Sequence, residues 1–472
     1  MFNFKNVKRV LSLLLAVSMA AIMIGCSNTN GNNKNNSGNI AGKQSYDDVV
    51  DMDGYVFSIA SNFLQNTPDF ANLTDAEAIF ETVRHKIEEK YNCTIQIIPS
   101  DNSIETIRTK VLGGDKIADL LDIDGTKITQ LARSGYIVAL DDIDGLNIND
   151  SRWISGYTRL TEFNGKHYGV NFMRPAEARV CLVYNRDLLK KFGVTEDPQQ
   201  LVKDNKWTFD KFAEMAKACT RDTNGDGITD TYGIYTRLPN LFGMSMIAAN
   251  GGKLVTMENG IAKESFTDNK VLTALNFVNK LVNEDKSFKI ATEANSAASI
   301  SSKEIAAHFA NGEATFIYCE SWVLNQAIKP VSGDIDYAIL PLPMGPDASD
   351  YVSPAENARN FCISSTNKDV EKTVIIMNAI AKAVAEYGEG DDWWKYDVEA
   401  DYFQMGDTES VEIYMSLIDK STIDLGVGVT DLWNDFQTKV IGESIFSLKG
   451  TPASKIQSIT GKYKNAIDSI YN

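Results

Sequence analysis

Tyr55-Val56-Phe57-Ser58-Ile59-Ala60, Thr94-Ile95-Gln96-Ile97-Ile98 and Ala118-Asp119-Leu120-Leu121-Asp122-Ile123 are short runs of strand-forming residues, and what separates them decides the fold. Between the first two, Thr74-x-x-Glu77 reads as a capping box that opens a helix with Ile79, Val83 and Ile87 on one face. Between the second and third, a helix near Ile104 to Leu112 runs into Gly113-Gly114, which stop it. Strand, helix, strand, helix, strand predicts a parallel sheet with helices on its faces. Ligands of such sheets sit beyond the carboxyl ends of the strands, which nominates Ser61, Asn62, Asp122 and Asp124 as rim groups. Helix capping is the competing reading of the last three.

The whole chain has 472 residues, 43% hydrophobic and 23% charged, long enough that one core is expected to divide into two lobes. With 63 acidic against 46 basic residues the formal charge is -17, which repels phosphate backbones and excludes nucleic acid as a natural partner. Lys5, Lys8 and Arg9 precede an apolar run from Val10 to Ile24, of signal-peptide length and too short for a comfortable membrane span. It ends in Met23-Ile24-Gly25-Cys26, which resembles the bacterial lipobox. Residues 1–25 are therefore expected to be a lipoprotein signal peptide removed before Cys26, with the acylated Cys26 holding the protein on a membrane. An ordinary signal with an incidental cysteine is the alternative. The polar stretch that follows, Ser27 to Gly38, has nothing to bury and reads as part of a flexible tether over 26–50. Cys93, Cys181, Cys219, Cys319 and Cys362 are an odd set without CxxC spacing, read as small buried hydrophobes.

From Val111-Leu112-Gly113-Gly114-Asp115-Lys116-Ile117-Ala118-Asp119-Leu120 onward, the wording of the chain resembles a known family. Leu131-Ala132-Arg133-Ser134-Gly135-Tyr136-Ile137-Val138-Ala139-Leu140-Asp141 follows it. Phe163-Asn164-Gly165-Lys166-His167-Tyr168-Gly169-Val170 comes next, and its Asn-Gly is independently a hairpin turn. Leu182-Val183-Tyr184-Asn185-Arg186-Asp187-Leu188 and Trp207-Thr208-Phe209-Asp210-Lys211-Phe212 continue the series. Phe309-Ala310-Asn311-Gly312-Glu313-Ala314 with Trp322, and Leu340-Pro341-Leu342-Pro343-Met344-Gly345-Pro346, complete it. In order and wording these resemble the extracellular solute-binding proteins of ABC importers, in particular the carbohydrate-binding branch.

The resemblance implies an α/β, two-lobed periplasmic-binding-protein-like fold with a ligand cleft between the lobes. It implies a first lobe over 51–172 with a return near 358–405, and a second over 173–357 completed by helices in 406–472. It implies no enzyme, but a monomeric, lipid-anchored protein outside the cell that hands a carbohydrate to an ABC permease. A sugar presents hydroxyls at its edge and C–H groups on its faces, so its site pairs aromatic rings with fixed carboxylates and amides. Trp322, in Glu320-Ser321-Trp322 where a strand gives way to a helix, is the leading candidate, with core packing as its competitor. Arg174 and Glu177 lie where the chain of the family crosses lobes, against a solvated salt bridge. Trp393 and Trp394, in an acidic, aromatic patch, are either a stacking wall or a helix anchor. Tyr168 reads as a hairpin residue, and Trp207 and Trp433 as packing.

Asp222-Thr223-Asn224-Gly225-Asp226-Gly227-Ile228-Thr229-Asp230 places oxygen donors at alternating positions around a glycine turn, which matches a structural Ca2+ loop with ligands at Asp222, Asn224, Asp226, the Ile228 carbonyl and Asp230. A loop of the EF type closes with Glu at its twelfth position, here Gly233, and a metal-free Asx-rich turn is the alternative. His85, His167 and His308 form no HExxH or similar constellation, and no Gly-x-Ser-x-Gly occurs. A lipid-anchored glycan-binding adhesin is the second functional class, and a surface polysaccharide hydrolase or lyase with two carboxylates the third.

Overall fold

The computed structural model describes residues 46, 48–66, 73, 75–174, 176–290, 299–355, 358–388 and 394–472. The export signal, Cys26, most of the tether, Thr74 and Trp393 lie outside the described residues. Residues 44–472 form one compact unit. Among the described residues no helix is long and apolar enough to cross a membrane.

The chain opens as its periodicity predicts: β1 (Tyr55–Ser61), α1 (Asp75–Tyr91), β2 (Cys93–Pro99), α2 (Ile104–Leu112), β3 (Leu120–Asp124) and α3 (Gly125–Arg133). α2 starts where the Ser103 side chain accepts the Thr106 N–H and ends at Gly113, with Gly114 at φ 75°, a conformation that glycine adopts without strain. The Asn164-Gly165 turn joins the short antiparallel pair Glu162–Phe163 and Lys166–His167, both turn residues at positive φ (51° and 74°) as a two-residue hairpin requires. After a crossing segment come β4 (Val180–Asn185), β5 (Tyr232–Thr236), β6 (Ala314–Glu320) and β7 (Tyr337–Leu340), and then β8 (Arg359–Cys362) returns.

Two four-stranded sheets result. The first has the order β8-β3-β1-β2, with β1 parallel to β2 (Ile59 opposite Ile97) and to β3, and β8 antiparallel to β3 so that Arg359 faces Asp124. The second has the order β7-β4-β6-β5, with β6 parallel to β5 and antiparallel to β4 (Glu320 opposite Val180). These are the two α/β lobes. Strand alternation divides the core into layers. Ala60, Leu121 and Ile123 pack on one face of the first sheet, while Leu182, Tyr184, Phe316 and Tyr318 pack on one face of the second. The opposite faces, Phe57 and Ile59 on the one and Val183 and Ile317 on the other, belong to a single apolar cluster that passes between the lobes.

The C-terminal helices finish both lobes. α4 (Val370–Ala385) packs on α1. α5 (Trp394–Tyr402), placed by sequence with the return to the first lobe, packs against the second, where the Tyr337 hydroxyl donates to the Tyr402 carbonyl at 2.8 Å. α6 (Thr408–Asp419) covers β7, and α7 (Pro452–Tyr471) packs on the hairpin strand Ile261–Glu264 and the helix Phe436–Phe446, adding Ile456, Ile459, Tyr463 and Ile467 to the core of the second lobe.

Candidate functional site

The carboxyl edges of the two sheets meet at the crossing segment 171–179. Its first residue is tied to one sheet, the Asn171 side chain donating to the Arg359 carbonyl at 2.6 Å. Its last is tied to the other, the Arg179 carbonyl accepting the Ser321 N–H at 3.2 Å. A cavity of about 520 Å3 opens here, within the range of small-ligand sites. Phe63, Glu77, Asp124 and Arg359 line it from the first lobe, with Tyr157 behind and Glu177 and Arg179 from the crossing segment. Asp124 occupies the N-cap position of α3 but makes no capping bond, and pairs instead with Lys127 at 3.1 Å. Glu177 pairs with Arg179 at 3.5 Å, and its carbonyl accepts the Tyr157 hydroxyl, a phenol that burial holds in its neutral, donating form.

Each lobe brings one partly exposed aromatic ring to this edge with a guanidinium on one face. Phe63, 47% exposed, has the Arg359 Cζ 3.8 Å from its ring centre. Arg359 is fixed from behind: its Nε donates to Asp122 Oδ1 at 2.9 Å, its Nη2 pairs with Asp122 Oδ2, and the same Nη2 reaches the Ser61 hydroxyl at 3.2 Å. On the second lobe Trp322, 36% exposed at the end of β6, has the Arg237 Cζ 5.2 Å from its ring centre. Arg237 holds Glu320 with two bonds of 2.7 and 3.1 Å, the forked geometry that gives strong charge-assisted pairs. Both rings are thus held in place by stacked arginines that are themselves locked.

Of the expected rim groups, the structure brings Asp124 and Glu177 to the cavity; Glu320 and Trp322 do not line it but flank Ser321, whose N–H bonds the carbonyl of the lining residue Arg179. Asp122 is a correction: it is buried beneath the rim, bonded to Ser61 at 2.7 Å and to Arg359, because it shares a face with Asp124 but sits two residues back from the strand end, where the Arg359 side chain covers it. Asn62 is exposed, and its neighbour Phe63 lines the cavity instead. Arg174 is also corrected: it lines a separate cavity of about 810 Å3 on the other side of the short helix Ser155–Thr158, donates to the Ser151 carbonyl at 2.8 Å and stacks on Trp394. Trp394 is buried there, as a helix anchor. Trp207 is fully buried with its indole N–H on the Pro341 carbonyl at 3.0 Å, which is packing. Sequence does not nominate Phe63, Tyr157, Arg179, Arg237 or Arg359, and it reads Glu77 only as a helix-capping residue. A purely local signal existed for Phe63, the large apolar residue just past a strand end.

The Asp222–Asp230 loop is exposed and closed by its own side chains. Asp222 accepts the N–H groups of Gly225 and Gly227 at 2.7 and 2.8 Å, and Asp230 accepts those of Thr223 and Asn224 at 2.6 and 3.2 Å. Backbone donors hold the Asp222 carboxyl below its usual range, and for Asp230 the Thr223 hydroxyl and N–H do the same. The oxygen donors are of the kind a hard cation takes, but among the described residues no three His, Cys, Asp or Glu side chains are gathered as a metal group. The twelfth position is informative. Gly233 lies in β5 against the helix Phe209–Ala218, where an added Cβ would stand 2.1 Å from the Ala216 carbonyl oxygen, so a closing Glu cannot be accommodated.

Two α/β lobes joined by a crossing segment, with a cavity at that segment lined by Phe63, paired charges and strand-end residues of the first sheet, have the architecture of a protein that holds a small solute. A family profile of bacterial extracellular solute-binding proteins matches residues 71–393, more than half of the chain, and the protein belongs to that family. Solved structures share the fold at low identity. The GacH receptor of Streptomyces glaucescens, described unliganded and with acarbose, is 16% identical with a TM-score of 0.56, covering 89% of this chain and 100% of its own. Maltose-bound MalE3 of T. maritima is 17% identical with a TM-score of 0.55, covering 88% and 100%. UgpB from Mycobacterium tuberculosis, in complex with glycerophosphocholine, is 17% identical with a TM-score of 0.58, covering 87% and 98%. No curated protein matches the chain in sequence. Family and neighbours are binding proteins, and the family's place is extracellular or periplasmic.

Proposed function

We propose that the protein captures a carbohydrate, an oligosaccharide, in the cavity at the crossing segment and delivers it to the permease of an ABC importer, without chemical change to the sugar. The observation that carries this reading is the cavity at the crossing segment, where the half-exposed ring of Phe63 stands among the carboxylates of Glu77, Asp124 and Glu177, groups suited to a sugar's C–H face and hydroxyl donors, with the partly exposed Trp322 at the strand end of the other lobe. The ligands named for the GacH receptor and for MalE3 support it. Closure of the lobes on the sugar gives the permease a state to recognise. The mature protein is a monomer held outside the cell through acylated Cys26, its only tie to the membrane, and a calcium ion stiffens the Asp222–Asp230 loop, distant in function from the sugar.

The test is the melting temperature of the purified protein with oligosaccharides, peptides and glycerophosphodiesters, each with calcium and with a chelator. A ligand that binds only the folded state raises the transition by its saturation, about 2.7 kcal/mol at a hundredfold excess over Kd. One glycan class is expected to shift it, and calcium is expected to add a smaller, independent shift. A response to peptides or glycerophosphodiesters alone contradicts the carbohydrate reading. No calcium response leaves the loop a metal-free turn.

A further inference from the structure

Building on the carbohydrate reading, we infer that the cleft selects uncharged sugars and rejects uronate-containing or phosphorylated ones. The basis is the state of its cations. Arg359 is committed to Asp122 at 2.9 Å, Arg179 to Glu177 at 3.5 Å, Arg237 to Glu320 at 2.7 Å and Lys127 to Asp124 at 3.1 Å. Among the described residues, the charged groups that line the cavity and their pairing partners are four carboxylates (Glu77, Asp122, Asp124, Glu177) against three cations (Lys127, Arg179, Arg359), and on the second lobe Arg237 and Glu320 cancel.

A carboxylate or phosphate on the ligand would shed its water and find each guanidinium already engaged. To recruit one, it would strip a protein carboxylate of its partner, so the gain at one charge is a loss at another. A hydroxyl group meets no such conflict: it donates to Asp124 or Glu177 while those carboxylates keep their cations, because an ionised carboxylate has more acceptor sites than one pair uses.

The aromatic rings point the same way. The face of an aromatic ring is the negative end of its quadrupole, which favours C–H groups and cations over anions. Arg359 and Arg237 already stand over Phe63 and Trp322, and the surface the two residues still expose, 47% and 36%, is suited to the C–H side of a pyranose. The net charge of -17 adds a repulsive field for any anion that approaches.

The experiment compares neutral trisaccharides (maltotriose, cellotriose, xylotriose, galactotriose) with trigalacturonate and with the glucotrioses oxidised to uronates at C6, by calorimetric titration of the purified protein. The neutral form that binds is expected to do so at least about 100-fold more tightly than its uronate counterpart. A uronate that binds equally or better overturns the inference. Should none of these sugars bind while a peptide or glycerophosphodiester does, the carbohydrate reading itself falls and takes the inference with it. The Glu177→Gln variant separates charge commitment from shape: it frees Arg179, and the preference for the neutral form is expected to narrow by about tenfold. An unchanged ratio means that the paired charges are not what selects.

Discussion

Arg359→Met is expected to lower the unfolding free energy by about 3–5 kcal/mol, measured by urea denaturation, the largest loss for any single change in the cleft. Asp122 is fully enclosed, and its charge is carried by Arg359 on both oxygens, with Ser61 as its other partner. Methionine matches much of the arginine stem and keeps contact with Phe63, so the loss comes from an uncompensated buried carboxylate and not from a void. The reciprocal change, Asp122→Asn, is expected to cost less, about 1–3 kcal/mol, because the Arg359 side chain remains 24% exposed and can reach water while the amide still accepts from Ser61. Equal losses would mean that the pair is not the anchor of the Phe63 wall.

Trp322→Ala has the opposite signature. The unliganded protein is expected to melt within a degree or two of the parent, since the ring is 36% exposed and Arg237 keeps its two bonds to Glu320. Affinity for the sugar is expected to fall about 30- to 100-fold, the loss of roughly 2 kcal/mol or more that removing a central aromatic contact produces. Trp322→Phe, which keeps a stacking face, is expected to recover most of it. An unchanged Kd in Trp322→Ala places the sugar elsewhere and leaves Trp322 as a surface residue.

The two changes also mark where sequence suffices and where it fails. The opening strands and helices were legible because their signals are local: alternation in β1 and β2, a helix stop at Gly113-Gly114, an Asn-Gly turn. The strand-end rule found Asp124 for the same reason. It misplaced Asp122 because the deciding partner, Arg359, is 237 residues away and arrives on an antiparallel strand from the far end of the fold. Arg174 and Arg179 sit in one irregular crossing segment with no period to say which side each faces; sequence chose Arg174, and the structure brings Arg179 to the cavity. Arg237 follows β5 and Glu320 ends β6, so their pairing exists only once those strands are neighbours. Helix α5, which chain order groups with the return to the first lobe, also contacts the second through the Tyr337–Tyr402 bond, a pairing 65 residues apart. In each case the missing information is a long-range pairing, which propensity and spacing do not contain.

The central claim is that one solute is held by both lobes at once. Hydrogen exchange of the backbone, with and without the sugar that raises the melting temperature, tests it most directly. The account predicts simultaneous protection of 61–66 and 122–127 on the first lobe, 171–179 in the crossing segment and 320–324 on the second lobe. Protection confined to one lobe, or appearing only at the separate cavity around Arg174 and Trp394, would contradict it.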